Sequence, residues 1–144
     1  MSKVLLTSSL TIIGGVIIYV LGQIIEKFFI KPIFDQKQII GEIFDSLIFY
    51  ANIYANPHMD GLKNSYDEAS KKFRQQSSLL LVKTNLIPGY NFFANLNITL
   101  KRDNILKAHT ELVRLSNGVY GVGNTGVQNA DCADKIKKLL NIEF

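Results

Sequence analysis

The residues best suited to chemistry lie in one run, Arg102-Asp103-Asn104-Ile105-Leu106-Lys107-Ala108-His109. Arginine supplies a permanent planar cation, and histidine changes charge near neutral pH, so the pair suits neutralising a phosphate and moving a proton beside it. Residues seven apart on a helix return nearly to the same face two turns on, so both side chains can address one phosphate from the start of a helix. A structural reading competes: His109 shares a stripe with Ile105 and Leu112, the position of a core or interface histidine.

Two other groups of residues invite a chemical reading. Gly121, Gly123 and Gly126 spell a literal G-x-G-x-x-G within the run from Gly118 to Gly126. The dinucleotide fingerprint needs a strand before it and a helix opening on it, with an acidic residue about 20 positions on. Here the run follows a helix in a chain without strand alternation, so a flexible loop is expected. The polar remainder is His58 in a loop, Cys132 on the last helix, and Asp131 with Asp134. They have neither metal-ligand spacing nor a nucleophile with its base, so structural or solvent roles are expected, with no metal and no cofactor.

The element that positions everything else is Val4 to Ile25, a stretch of 22 residues without a charge. As a helix it reaches about 33 Å, enough for a hydrocarbon layer of roughly 30 Å. It reads as one transmembrane helix. A cleaved signal peptide fits less well, because the apolar run exceeds the usual h-region, no A-x-A site follows, and Glu26-Lys27-Phe28-Phe29 continues it as an interfacial segment. The span is therefore expected to stay attached. Ser8, Gly15 and Gly22 recur every seven residues and Thr7, Thr11 and Gly15 every four, gathering small and hydroxylated residues on one side. Such a face lets helices approach closely in lipid, so Ser8, Thr11, Gly15 and Gly22 are the expected oligomer interface. If the assembly encloses a pore, Thr7, Ser8, Thr11 and Gln23 are the groups suited to face water.

Charge sets the orientation. Lys27, Lys31 and Lys37 flank the C-terminal side of the span, against Lys3 and the amine on the other, which favours an outside N-terminus and a cytoplasmic remainder. One cysteine excludes an intramolecular disulfide framework and fits a reducing compartment. The net charge of +4 is spread thinly, with 13 basic against 11 acidic residues over positions 32–144. That balance is no polybasic arm for nucleic acid and is compatible with anionic headgroups.

The chain divides into residues 1–31, the transmembrane helix with its interfacial extension, and residues 32–144, a cytoplasmic all-α domain. Pro32 is expected to end or kink the first helix. An amphipathic helix then carries Ile33, Gln36, Ile40, Ile43, Phe44, Leu47, Ile48, Ala51 and Tyr54 until Asn56-Pro57, with Phe49 and Tyr50 widening its apolar side towards a subunit contact. Asp60 is expected to cap a third helix with Leu62, Tyr66, Ala69, Phe73, Leu80 and Leu81 inward, interrupted at Gln76-Ser77. Its charges form a solvated face with Asp67–Lys71 and Glu68–Lys72 pairs. Ile87-Pro88-Gly89 reads as a turn and YNFFANL as a short, aromatic, largely buried helix or turn. Thr99 caps a fourth long helix ending at Ser116-Asn117-Gly118, with Ile105, Leu106, Leu112, Val113 and Leu115 as its apolar side, and a last helix spans about Asn129 to Asn141 with Ile136, Leu139 and Leu140 inward. The expected architecture is an all-α bundle.

Two resemblances rest on these features. The order of membrane helix, EKFFIKPIFDQKQIIGEIFDSLIFYANIYANP, LIPGYNFFANL and LVRLSNG resembles a set of small bacterial single-pass membrane proteins without an assigned activity. Arg102, Asp103 and His109 resemble the R-x4-6-H signature of HEPN domains, all-α nucleases and nucleotide-binding modules whose site forms between two protomers. Together with the N-terminal anchor, they are similar to the membrane accessory proteins of RNA-targeting CRISPR systems. That similarity implies a cytoplasm-facing ring with a membrane pore, a defence-system partner and a role against phage. The leading expectation is a non-enzymatic homo-oligomer of the bacterial inner membrane. The alternatives are a membrane-tethered ribonuclease using Arg102 and His109, and a monomeric anchor presenting a helical binding domain.

Overall fold

The computed structural model describes residues 2–57, 61, 63–121 and 125–142, and over these residues the chain is helical with no strand. In chain order the elements are α1 (Ser2–Ile25), a π-helical turn (Glu26–Ile30), α2 (Lys31–Phe49), α3 (Ala51–Ala55), α4 (Lys63–Asn85), α5 (Tyr90–Asn95), α6 (Arg102–Gly118) and α7 (Gly126–Leu140). α1 is long and apolar enough to cross a membrane. Its Leu, Ile and Val side chains are exposed along its whole length, so it gains nothing from burial within this chain.

The interruption expected at Pro32 takes a particular form. Proline lacks the N–H of the helical ladder and crowds the carbonyl four residues back. The wider π turn directly before it shifts the register, with the Lys31 N–H donating to the Glu26 carbonyl, and Pro32 falls in the first turn of α2. Ile25, Ile30 and Lys31 all keep right-handed helical dihedrals. The chain therefore passes from α1 into α2 without leaving helical conformation.

α2, α4, α6 and α7 form the bundle, and hydrogen bonds fix their senses. Gln36 reaches Thr84 while Gln76 reaches Ser46, so α2 and α4 run antiparallel. Arg102 reaches Asn85 and Arg74 reaches Asn117, so α4 and α6 do too. The core is built from Ile43, Leu47, Phe73, Leu80, Ile105, Leu112, Leu115 and Ile136, all essentially without solvent exposure. Burying each such side chain stabilises the fold by about 1.5–3 kcal/mol. Up-and-down connection brings the start of α2, the end of α4, α5, the start of α6 and the end of α7 to the end of the bundle next to α1.

Several expected details are corrected. α2 buries Gln36, Ile39, Ile43, Ser46 and Leu47, while Ile48 is exposed, so the buried stripe is rotated from the one expected. A break at Tyr50 (φ −94°, ψ 16°) separates α2 from the short α3, where one helix to Asn56 was expected. Gln76 and Ser77 do not interrupt α4; both are buried, with Gln76 Nε2 donating to the Glu42 carbonyl and Ser46 Oγ at 2.8 Å each. Asp67 accepts from Tyr120 Oη at 2.7 Å. α5 is largely exposed, with Phe92 and Leu96 in solvent and Tyr90 buried. α6 begins after Lys101 without a side-chain cap, so Thr99 does not cap it, and Leu106 lies on its exposed side. α7 starts three residues early, because Thr125 and Gln128 form a capping box. The expected cap Asp60 and the inward Leu62 lie outside the described residues, as do His58 and Gly123.

Candidate functional site

Arg102 and His109 are both turned towards α4, but they meet different residues of it. The exposed Arg102 guanidinium donates to the Asn85 side-chain carbonyl at the end of α4. His109 Nδ1 lies 2.6 Å from Ser77 Oγ, two turns further back on the antiparallel helix. Ser77 Oγ also lies 3.1 Å from the His109 carbonyl. The seven-residue separation therefore spreads the pair by about 10 Å along α6 instead of focusing it on one point. A serine beside a histidine is the geometry of a nucleophile with its base, but Ser77 is 1% exposed and out of reach of a substrate. The two residues act as interhelical links.

The remaining chemical candidates are placed structurally. Cys132 is buried, and burial pushes its thiol up to about 11, with a hydrogen bond to Glu111 adding to the effect. A protonated, enclosed thiol is a poor nucleophile. Burial likewise raises Tyr54, whose hydroxyl donates to the Leu47 carbonyl, so its ring belongs to the core. The Tyr120 phenol is raised by its hydrogen bond to Asp67. Asp134 pairs with Lys137 at 3.0 Å. No group of three or more metal-ligating side chains forms among the described residues.

Of the G-x-G-x-x-G glycines, Gly126 has a packing role that the sequence reading missed. It is the first residue of α7, and a Cβ there would lie 1.9 Å from the Ala55 carbonyl oxygen. One turn on, the buried Asn129 Nδ2 donates to the Tyr54 carbonyl at 2.8 Å and the Gly118 carbonyl at 2.9 Å. The last carbonyls of a helix have no partner inside it, so Asn129 ties together the ends of α3 and α6. The sequence signal for this α7 start was the Thr125-x-x-Gln128 capping box.

On α1, Thr7 Oγ1 donates to the Lys3 carbonyl at 2.9 Å and Thr11 Oγ1 to the Thr7 carbonyl at 3.0 Å. These hydroxyls are satisfied by their own helix and do not require a neighbour. Gly15 and Gly22 face open space, with nothing within 4 Å of a Cβ added to either. Ser8 is exposed and Gln23 half-buried.

Where α1 meets the bundle, an apolar cleft of about 590 Å³ opens. Ile25, Phe29, Ile33 and Phe34 form one wall and Phe93 and Ile98 the other, with Lys37 at one end. The Phe29 and Phe93 rings meet across it at 5.9 Å between centroids. A smaller, more polar pocket of about 280 Å³ adjoins it, sharing Lys37 and Ile98 and adding Asn97, Thr99 and Asn141. No family model, no curated protein and no solved structure matches this chain.

Proposed function

We propose that this chain is a single-pass protein of the bacterial inner membrane that works as a non-enzymatic homo-oligomer, a scaffold or pore-forming accessory with its helical domain in the cytoplasm. The observation that carries this reading is the condition of α1. Its apolar side chains are exposed throughout, and its glycines meet nothing in their own chain. Lipid supplies the environment for the first, and a second α1 supplies a surface for the second. The antiphage setting is proposed on the architectural resemblance to CRISPR membrane accessory proteins. Engagement of both Arg102 and His109 with α4 favours the non-enzymatic reading over the ribonuclease.

Gly15→Leu tests the assembly. The added side chain fills the space where a neighbouring backbone would lie, while leucine still favours lipid. Oligomer size should fall, both in detergent and in crosslinked membranes, with membrane retention unchanged. An unaltered oligomer would reject the Ser8, Thr11, Gly15 and Gly22 face. If the assembly conducts, the same substitution should lower dye leakage from liposomes.

A further inference from the structure

We propose that the cleft between the π turn and α5 is a binding site for one anionic phospholipid, with an acyl chain in the apolar part and the phosphate at Lys37. This rests on the reading that α1 crosses the bilayer and goes beyond it, since a single anchor needs no specific lipid.

The argument begins with position. Ile25, the last residue of the uncharged span, lines the cleft together with Phe29, Ile33 and Phe34. The cleft therefore starts where the hydrocarbon layer ends, and an acyl chain can enter without crossing water. The aromatic and aliphatic residues from Phe28 to Phe34 continue the apolar character of α1 beyond a length that one bilayer covers. Phe28, Ile30 and Phe34 remain exposed in this chain. The volume of about 590 Å³ falls in the roughly 300–1,000 Å³ range of ligand sites.

The polar end gives the lipid its charge. Lys37 lies between the two pockets, and among the described residues it enters no ion pair. The neighbouring Asp35 is already neutralised by Lys83 at 2.9 Å. Thr99 lines the polar pocket at 9% exposure, and its Oγ1 has no hydrogen-bond partner. Lys27, Lys31, Lys101 and Arg102 stand at the same end of the bundle, while the nearby Asp103 is paired with Lys107 at 2.6 Å. From the membrane side the lining thus runs from the apolar residues Ile25 to Phe34, to the Lys37 cation, to the amides of Asn97 and Asn141, which is the order of groups along a phospholipid. A free fatty acid would leave the polar pocket unused.

The test is native mass spectrometry of the detergent-solubilised full chain, titrated with phosphatidylglycerol or phosphatidylcholine of identical acyl chains, or with oleate. Carbonate extraction of membranes from the same cells reports anchoring separately. The expected result is one phosphatidylglycerol retained per protomer, at least tenfold more tightly than phosphatidylcholine or oleate. Lys37→Glu should reduce that retention about tenfold. Ile98→Glu, at a partly exposed wall position that leaves the core intact, should abolish it. Both variants should stay in the carbonate-resistant membrane. Equal retention of phosphatidylcholine, preference for oleate, or wild-type retention by both variants would overturn the proposal. So would absence of lipid from a dimer that Ile98→Glu dissociates, which would put a second copy in the cleft. Loss of lipid from a protein that carbonate extracts would overturn the membrane reading itself.

Discussion

Gly126 lies so close to the end of α3 that a Cβ at this position would sit 1.9 Å from the Ala55 carbonyl oxygen. The obstacle is backbone, which cannot rotate away as a side chain can. The start of α7 is thereby seated on the end of α3, and Asn129 completes the joint by donating to the Tyr54 carbonyl.

Gly126→Ala should therefore destabilise the bundle by about 2 kcal/mol or more, the scale of overpacking in a closed site. Gly41→Ala is the control. It lies exposed in α2 with nothing within 4 Å of an added Cβ, and alanine there should be neutral or stabilising by up to about 1 kcal/mol. Chemical unfolding of the two full-length variants, followed by circular dichroism, checks both signs.

His109→Ala removes the imidazole beside Ser77 Oγ, and the buried hydroxyl then loses part of its hydrogen bonding, at about 1–3 kcal/mol. Arg102→Ala acts at an exposed link to Asn85 and should change stability by no more than about 0.5 kcal/mol. Neither should abolish a turnover. A well-folded His109→Ala protein that has lost a measurable RNA cleavage would promote the ribonuclease.

Cys132 gives a pH dependence with a definite sign. Its thiol has an ordinary value of 9.0 and is held at about 11 in the folded protein by burial. Below pH 9 both folded and unfolded thiols are protonated and pH has no effect through this group. Between pH 9 and 11 the unfolded chain releases the proton while the folded one retains it, so stability falls as pH rises, by at most about 1.4 kcal/mol per unit. Cys132→Ala should remove this part of the slope, measured against wild type from pH 8 to 10; Tyr54 and Tyr120, ordinarily at 10.0 and raised in the fold, contribute equally to both proteins and cancel in the difference. Equal slopes in the two proteins would show that the thiol is not enclosed.

The orientation reading predicts that a reporter fused after Phe144 is active in the cytoplasm and one at the N-terminus is accessible from outside. Protease added to spheroplasts should spare the helical domain, and digestion of that domain would reverse the topology argued from Lys27, Lys31 and Lys37.

The sequence by itself determined what depends on near neighbours. The uncharged run from Val4 to Ile25, the helical spacing of Tyr66, Ala69 and Phe73, and the Ile87-Pro88-Gly89 turn are written in residues a few positions apart, and each appears where the pattern put it. Arg102 and His109 were legible as residue types, but their roles were not, because Asn85 and Ser77 lie 17 and 32 positions away. The tertiary structure decided that Gln36, Gln76 and Asn129 belong inside. A polar side chain is stable in a core only when distant partners satisfy it, and Thr84 lies 48 positions from Gln36 and Tyr54 75 from Asn129. It likewise decided the cleft, whose walls come from residues 25–37 and from Phe93 and Ile98. In sequence Phe92, Phe93 and Leu96 read as core. Folding leaves Phe92 and Leu96 outside and turns Phe93 onto Phe29, at the end of the bundle where α1 departs.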